Sequence, residues 1–170
     1  MSQPALHEQL EFRRVGPGLE RPLADFFEHL RVTGEDGHFH PHPFTAGAAE
    51  ERARYSGQDV YCVAVVGGRV LGYGMLRGWD EGYAVPSLGI AIHAEARGMG
   101  LGRALMLYLH TEARRRGAAK IRLKVYPENQ AAVGLYRSLG YEYGSELEAG
   151  QLVGVKRLDG TKPPPESSLG

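Results

Sequence analysis

The sequence predicts a mixed α/β (α+β) fold. Its centre is a mixed, mostly antiparallel, twisted sheet of about seven strands flanked by about four helices, in the order β-α-α-β-β-β-α-β-α-β-β. Two patterns carry that prediction. Apolar runs at Val60–Val66 and Val70–Leu76 enclose Gly67-Gly68, a strong hairpin turn signal. Further on, strand-like runs alternate with helical apolar spacing, which places helices on both faces of the sheet. The 170 residues, 42% apolar and 24% charged, suffice for one domain with a full core.

Each element has its own local reason. Leu10–Val15 reads as a short strand that Gly16-Pro17-Gly18 stops, after a loose Met1–Glu8. Leu19–Arg31 carries Leu23, Phe26, Phe27 and Leu30 at helical spacing, with Pro22 tolerable in the first turn. Thr33–Thr45 is punctuated by Gly34, Gly37, Pro41 and Pro43 and reads as loop. Ala46–Tyr55 is a second helix, closed near Gly57. The hairpin follows, with Gly72 and Gly74 on one face leaving room for a close neighbour. Gly78–Gly82 is a turn and Tyr83–Ile92 the next strand, with an irregularity expected at Pro86.

The second half begins with Arg97-Gly98-Met99-Gly100-Leu101-Gly102, which opens a helix running to about Arg116. Leu101, Ala104, Leu105, Tyr108 and Leu109 form its apolar stripe, and Gly117 suits the left-handed position beyond its end. Lys120–Tyr126 alternates Ile121, Leu123 and Val125 inward with Arg122 and Lys124 outward. Asn129–Leu139 is helical, with Ala132, Val133, Tyr136 and Leu139 buried and Gly140 beyond its end. Tyr141–Tyr143 and Gln151–Lys156 are the last strands. Residues 1–158 read as a single domain and 159–170, rich in Pro and Ser, as a disordered tail.

Charge is balanced overall, 20 Lys+Arg against 20 Asp+Glu, which gives no reason to expect a nucleic-acid partner. It is not evenly spread. Arg97–Lys124 holds eight basic residues and one acid, Glu112. The lone Cys62 rules out an intramolecular disulfide and reads as a small core residue. No run approaches the ~18 apolar residues that span a membrane, and the start of the chain shows no signal-peptide pattern. The expected location is therefore cytoplasmic.

The glycine stretch is the chemical centre. Glycines remove Cβ atoms that would block a ligand, and the following helix starts with unpartnered N–H groups at the positive end of its dipole. That combination suits a phosphate. Gly102-Arg103-Ala104 lacks the Lys-Ser/Thr pair of a nucleotide P-loop. The dinucleotide pattern fails too, because its third glycine position is Arg103 or Leu105.

Arg97-x-x-Gly100-x-Gly102 after an apolar strand resembles the acetyl-coenzyme A signature of the GCN5-related N-acetyltransferase (GNAT) superfamily. Asn129-x-x-Ala132-x-x-x-Tyr136-x-x-x-Gly140-Tyr141 is similar to that family's second motif, and the resemblance spans about Val60–Tyr143. It implies acetyl-CoA as cofactor. Backbone amides over Arg97, Gly98, Met99, Gly100, Leu101, Gly102 and Arg103 would bind its pyrophosphate. The strand residues Ile90, Ala91 and Ile92 would pair with the pantetheine arm, and a strand N–H would stabilise an oxyanion. Asn129 would hydrogen-bond the pantetheine. Tyr136 would protonate the departing thiolate as general acid. Gly134, inside the helix, suggests a close approach by ligand or sheet.

The acceptor implied is the primary amine of a small molecule, amino sugar or peptide, attacking directly in a ternary complex. Glu81 and Asp80 are the carboxylates nearest the central strand, with Glu81 taken as the base; His93 is a second candidate and Ser87 a substrate-orienting one. In His38-Phe39-His40-Pro41-His42-Pro43-Phe44, the residues His40, His42 and Phe44 are expected to touch the acceptor. Three alternating histidines also suit a metal, but the prolines stiffen the loop and no partner cluster is visible, so no metal is expected. A non-catalytic acyl-CoA-binding or sensing module, or a transferase for a longer acyl-CoA, remains the alternative. Exposed strands near the C-terminus could pair in a homodimer.

Overall fold

The computed structural model describes residues 8–159. The expected loose N-terminus (save Glu8) and the expected tail beyond Asp159 lie outside those residues. The elements are β1 (Glu11–Arg14), α1 (Glu20–Val32), α2 (Ala46–Arg54), β2 (Val60–Val66), β3 (Arg69–Arg77) and β4 (Ser87–Ile92), then α3 (Leu101–Arg115), β5 (Lys120–Val125), α4 (Gln130–Ser138), β6 (Glu142–Glu148) and β7 (Gln151–Arg157). Single 3₁₀ turns at Glu35–Gly37 and Ala94–Ala96 precede α2 and α3. The order is the expected one.

One seven-stranded sheet runs β1-β2-β3-β4-β5-β7-β6. Every pairing is antiparallel except β4 with β5. The uninterrupted apolar run of β2 follows from burial on both faces. Tyr61, Val63 and Val65 face α1 and α2, where Leu23, Phe26, Phe27 and Leu30 pack. Val60 and Cys62 face α3 and α4 and meet Leu105 and Leu109. Leu105 and Leu109 are fully buried, so trimming either to Ala costs roughly 2–5 kcal/mol. Burial pushes the Cys62 thiol up to about 12, which leaves it an inert core residue.

Three local expectations are corrected and one is met. Tyr83–Pro86 is not strand. The Gly78–Gly82 turn extends until the Tyr83 amide reaches the Gly78 carbonyl, and the strand starts only after Pro86, which has no N–H to give the ladder. The close neighbours of Gly72 and Gly74 are side chains of β4 and α3, as their spacing suggested: added Cβ atoms would meet Ile92 Cδ1 at 3.2 Å and Leu109 Cδ1 at 3.0 Å, respectively. Gly134 faces open space, with nothing within 4 Å of an added Cβ, so no close approach explains it. Strand β6 runs well past Tyr143 to Glu148 because the Ala149-Gly150 pair, both at positive φ, makes a tight hairpin with β7. That edge strand bears Glu142, Glu146 and Glu148 and a register shift between Tyr143 and Leu147, features that discourage open-ended pairing.

Candidate active site

The site grows from one interruption in the sheet. β4 and β5 share a single parallel bridge, Ser87 with Arg122, in which the Arg122 amide reaches the Pro86 carbonyl at 3.0 Å. No further pairing follows, and a cleft of ≈ 1500 Å³ opens between the strands. Backbone alternation decides what faces it. The His93 amide donates to Leu71 of β3, so the odd-numbered residues of β4 bond to β3. The N–H and C=O groups of Ile90 and Ile92 therefore point into the gap with no strand to receive them. Those of Ala91 belong to the β3 ladder.

The glycine loop closes one end of the cleft. Gly98 and Gly100 lie at φ 78° and 86°, a region where a Cβ is costly. Gly102 does not, and a Cβ there would make only ordinary 3.7 Å contacts with Ile92 and Leu135. The first bond of α3 runs from the Ala104 amide to the Gly100 carbonyl. Among the described residues, no amide from Gly98 to Arg103 has an acceptor. Six backbone donors without acceptors and the N-terminus of α3 thus lie at this end of the cleft. The Met99 side chain is 69% exposed and is not part of the cleft lining, and Leu101 is buried beneath the loop. Arg103 donates to Ser138 Oγ at 2.9 Å, tying α3 to α4. Arg97 is ion-paired with Glu35 of the α1–α2 loop. Arg114 to Arg116 sit at the far end of α3, roughly 20 Å away at 1.5 Å per residue.

Helix α4 forms the opposite wall. Asn129 and Tyr136 stand two turns apart on one face and both line the cleft. Asn129 Oδ1 caps the helix by accepting from the Ala132 amide at 3.3 Å, which leaves its NH₂ to face the cleft. The Tyr136 ring packs against Tyr141. Its hydroxyl has no hydrogen-bond partner among the described residues, and burial pushes its pKa up to about 12. Behind it, Tyr141 holds the buried His110 through a 2.8 Å hydrogen bond.

The histidine loop crosses the open side of the cleft and is pinned at several points. His40 Nε2 meets the Tyr126 hydroxyl at 3.2 Å, at the end of β5. Arg77 donates to the Pro41 carbonyl at 2.7 Å. His42 turns away from the cleft. Its Nδ1 donates to the Pro43 carbonyl and its Nε2 accepts from the Tyr73 hydroxyl, each at 2.8 Å. Burial holds its pKa below the ordinary value. Phe44 is 3% exposed and packs on Phe27. Of the three expected acceptor contacts, His40 lines the cleft, whereas His42 and Phe44 belong to the core over α1. Alternation along the loop, combined with the pull of an apolar core, sends these side chains to different places. The three histidines do not converge.

The acid–base candidates separate in the same way. Asp80 is committed: it accepts from the Tyr55 hydroxyl and from the Gln58 amide, and the Tyr55 bond is the main cause that holds its pKa down. His93 does not line the cleft. Its Nδ1 accepts from the Glu95 amide at 3.1 Å, its ring stacks on His29 at 3.6 Å, and burial lowers its pKa. Glu81 lines the cleft, exposed and without a partner among the described residues. Ser87 lines it too, at the closed end of the strand gap. Glu35, Phe39 and Gly89 are among the lining residues that the sequence did not single out as site residues. A carboxylate in a loop, or a phenylalanine between two histidines, carries no local mark of the partner that folding brings to it.

An open sheet split between two parallel strands, with a free-amide loop at one end, is an arrangement suited to an extended, phosphate-bearing ligand. A profile of the acetyltransferase (GNAT) family matches residues 23–141. The chain belongs to this family and is an acetyltransferase, with acetyl-coenzyme A as its donor. Solved structures agree in fold. A GCN5-related N-acetyltransferase from Kribbella flavida is 27% identical, with 87% of this chain and 97% of that one covered at a TM-score of 0.72. The ribosomal-protein-S5-alanine acetyltransferase of Vibrio fischeri is 16% identical over 95% and 100%, at 0.74. The PaiA N-acetyltransferase of Thermoplasma acidophilum, in complex with coenzyme A, is 13% identical over 88% and 99%, at 0.69. Among the described residues, no helix is long and apolar enough to cross a membrane.

Proposed function

We propose that this protein transfers the acetyl group of acetyl-CoA to a primary amine of a small molecule, amino sugar or peptide by direct attack in a ternary complex. One observation carries the reading. The unpaired backbone of Ile90 and Ile92 and the unpartnered hydroxyl of Tyr136 line the same cleft, with the free amides of Gly98–Arg103 at its end.

In this reading the amides of the loop bind the pyrophosphate. The pantetheine arm takes the place of the missing strand along Ile90 and Ile92, with the Asn129 NH₂ on its other side. Glu81 takes a proton from the ammonium form of the acceptor, directly or through a water. The amine nitrogen then attacks the thioester carbonyl carbon. The oxyanion that forms accepts from a β4 amide, a contribution of about 3 kcal/mol where such donors have been removed elsewhere. As the intermediate collapses, the C–S bond breaks and the thiolate takes the Tyr136 proton. Two protons leave the ammonium nitrogen, one to Glu81 before attack and one from the N-protonated intermediate as it collapses, and the second replaces the proton that Tyr136 gives to the thiolate, so the step balances. A phenol held near 12 stays protonated at neutral pH, which fits it to donate.

The reading is tested by thiol release from acetyl-CoA across a panel of small-molecule, amino-sugar and peptide amines. Turnover with one class supports it and names the acceptor. Binding of acetyl-CoA with no turnover on any amine overturns it in favour of a binding module.

A further inference from the structure

The cleft has a stopper at its narrow end. Gly89 has an unremarkable φ, so its backbone does not require glycine. Its surroundings do: a Cβ there would stand 2.6 Å from Cε2 and 3.0 Å from Cζ of Phe39. The tip of the Phe39 ring therefore occupies the space beside the Gly89 Cα, and a side chain at Gly89 would have to displace it. Met75, whose Cγ is 3.3 Å from the same point, and Phe44, 5.9 Å away ring to ring, back it. The loop bearing the ring is fixed on both sides by the Arg97–Glu35 ion pair and the His40–Tyr126 contact.

Position gives the ring its meaning. Gly89 lies between the closing bridge at Ser87 and the free backbone of Ile90. Odd-numbered side chains of β4 face α1 and α2, as Ala91 does, whereas Tyr136 packs on the α3 and α4 face. A thioester seated at Ile90 with its sulfur toward Tyr136 directs its acyl carbons toward Gly89 and the ring.

We infer that Phe39, seated on Gly89, sets the acyl length of the donor: it leaves room for acetyl and excludes chains of four carbons or more. The inference rests on the donor reading above. The side chains that back the ring, Met75 and Phe44, are apolar, so the selection is steric. A methylene that fits such a pocket gains, and one that does not is refused.

The test is calorimetric and needs no acceptor. Dissociation constants for free coenzyme A, acetyl-CoA and butyryl-CoA are measured on the full chain and on Phe39→Ala, Phe39→Leu and Phe39→Trp. The wild type should prefer acetyl-CoA. In Phe39→Ala the butyryl-to-acetyl Kd ratio should fall about tenfold or more, with free coenzyme A unchanged. Phe39→Leu should give a smaller fall and Phe39→Trp a rise, so the sign is readable even if the alanine variant does not fold. A ratio that is the same in all folded variants overturns the inference, as does a wild type that binds both thioesters equally. If the wild type binds neither coenzyme A nor acetyl-CoA, the donor reading itself fails.

Discussion

Glu35, in the loop after α1, is ion-paired with Arg97, the first residue of the glycine loop. The residue whose backbone amide the resemblance assigns to a pyrophosphate thus has its side-chain cation held by a carboxylate from the α1–α2 loop.

Competition for that arginine should be measurable. Glu35→Gln frees Arg97 and should tighten coenzyme A binding up to about fivefold, since exposed ion pairs are worth at most about 1 kcal/mol. The gain should shrink as salt is raised. Arg97→Ala should weaken binding about tenfold, the scale of one charged hydrogen bond. Calorimetry at low and high salt checks both, and equal affinities in all three proteins would remove Arg97 from the cofactor site.

Tyr136→Phe keeps the ring that packs on Tyr141 and removes the proton. Turnover should fall about a hundredfold while acetyl-CoA affinity holds, because acid catalysis contributes 10²–10⁴-fold and a thiolate is an easy leaving group. With the phenol near 12, the wild-type rate should show no alkaline loss from Tyr136 below about pH 11. Steady-state kinetics across pH read both effects.

The glycines of the loop should not be equivalent. Gly100, at φ 86°, initiates α3, so Gly100→Ala should cost about 1 kcal/mol of stability and turn the amides away from the ligand. Gly102→Ala meets only 3.7 Å neighbours and should fold and bind coenzyme A normally. Thermal melts with and without coenzyme A separate the two.

His110 makes stability depend on pH. Burial, aided by the nearby Lys156 and Arg114 charges, lowers its pKa from 6.5 to about 4. Between those values the unfolded chain binds a proton that the folded chain refuses. Stability is therefore full above about pH 6.5 and is lost as pH falls toward 4, by about 3 kcal/mol in all. Denaturant melts from pH 7 to 4 should show this slope, and His110→Gln should flatten it.

The elements were legible because each has a short-range cause. The two-face burial of β2 shows as an unbroken apolar run, and Leu23, Phe26, Phe27 and Leu30 of α1 as helical spacing. The glycine loop and the Asn129–Tyr136 pair were legible because their geometry is set within a few residues, by positive φ at Gly98 and Gly100 and by two turns of helix. Gly72 and Gly74 signalled a close approach correctly, and the neighbours are side chains of β4 and α3. Whether His40, His42 or Phe44 reaches the cleft depends on how a proline-stiffened loop settles on a core some 30 residues further along the chain at Tyr73, and no local pattern encodes that.

By itself, then, the sequence determined the order of elements, the mixed-sheet class and the place of the glycine loop at the start of α3, because local backbone geometry and periodic burial fix these. Only the tertiary structure decided which carboxylate and which histidine face the gap, that Glu35 holds Arg97, and that Phe39 lies on Gly89. Those are contacts between distant segments, set by packing the α1–α2 loop across a sheet whose strands part after one bridge.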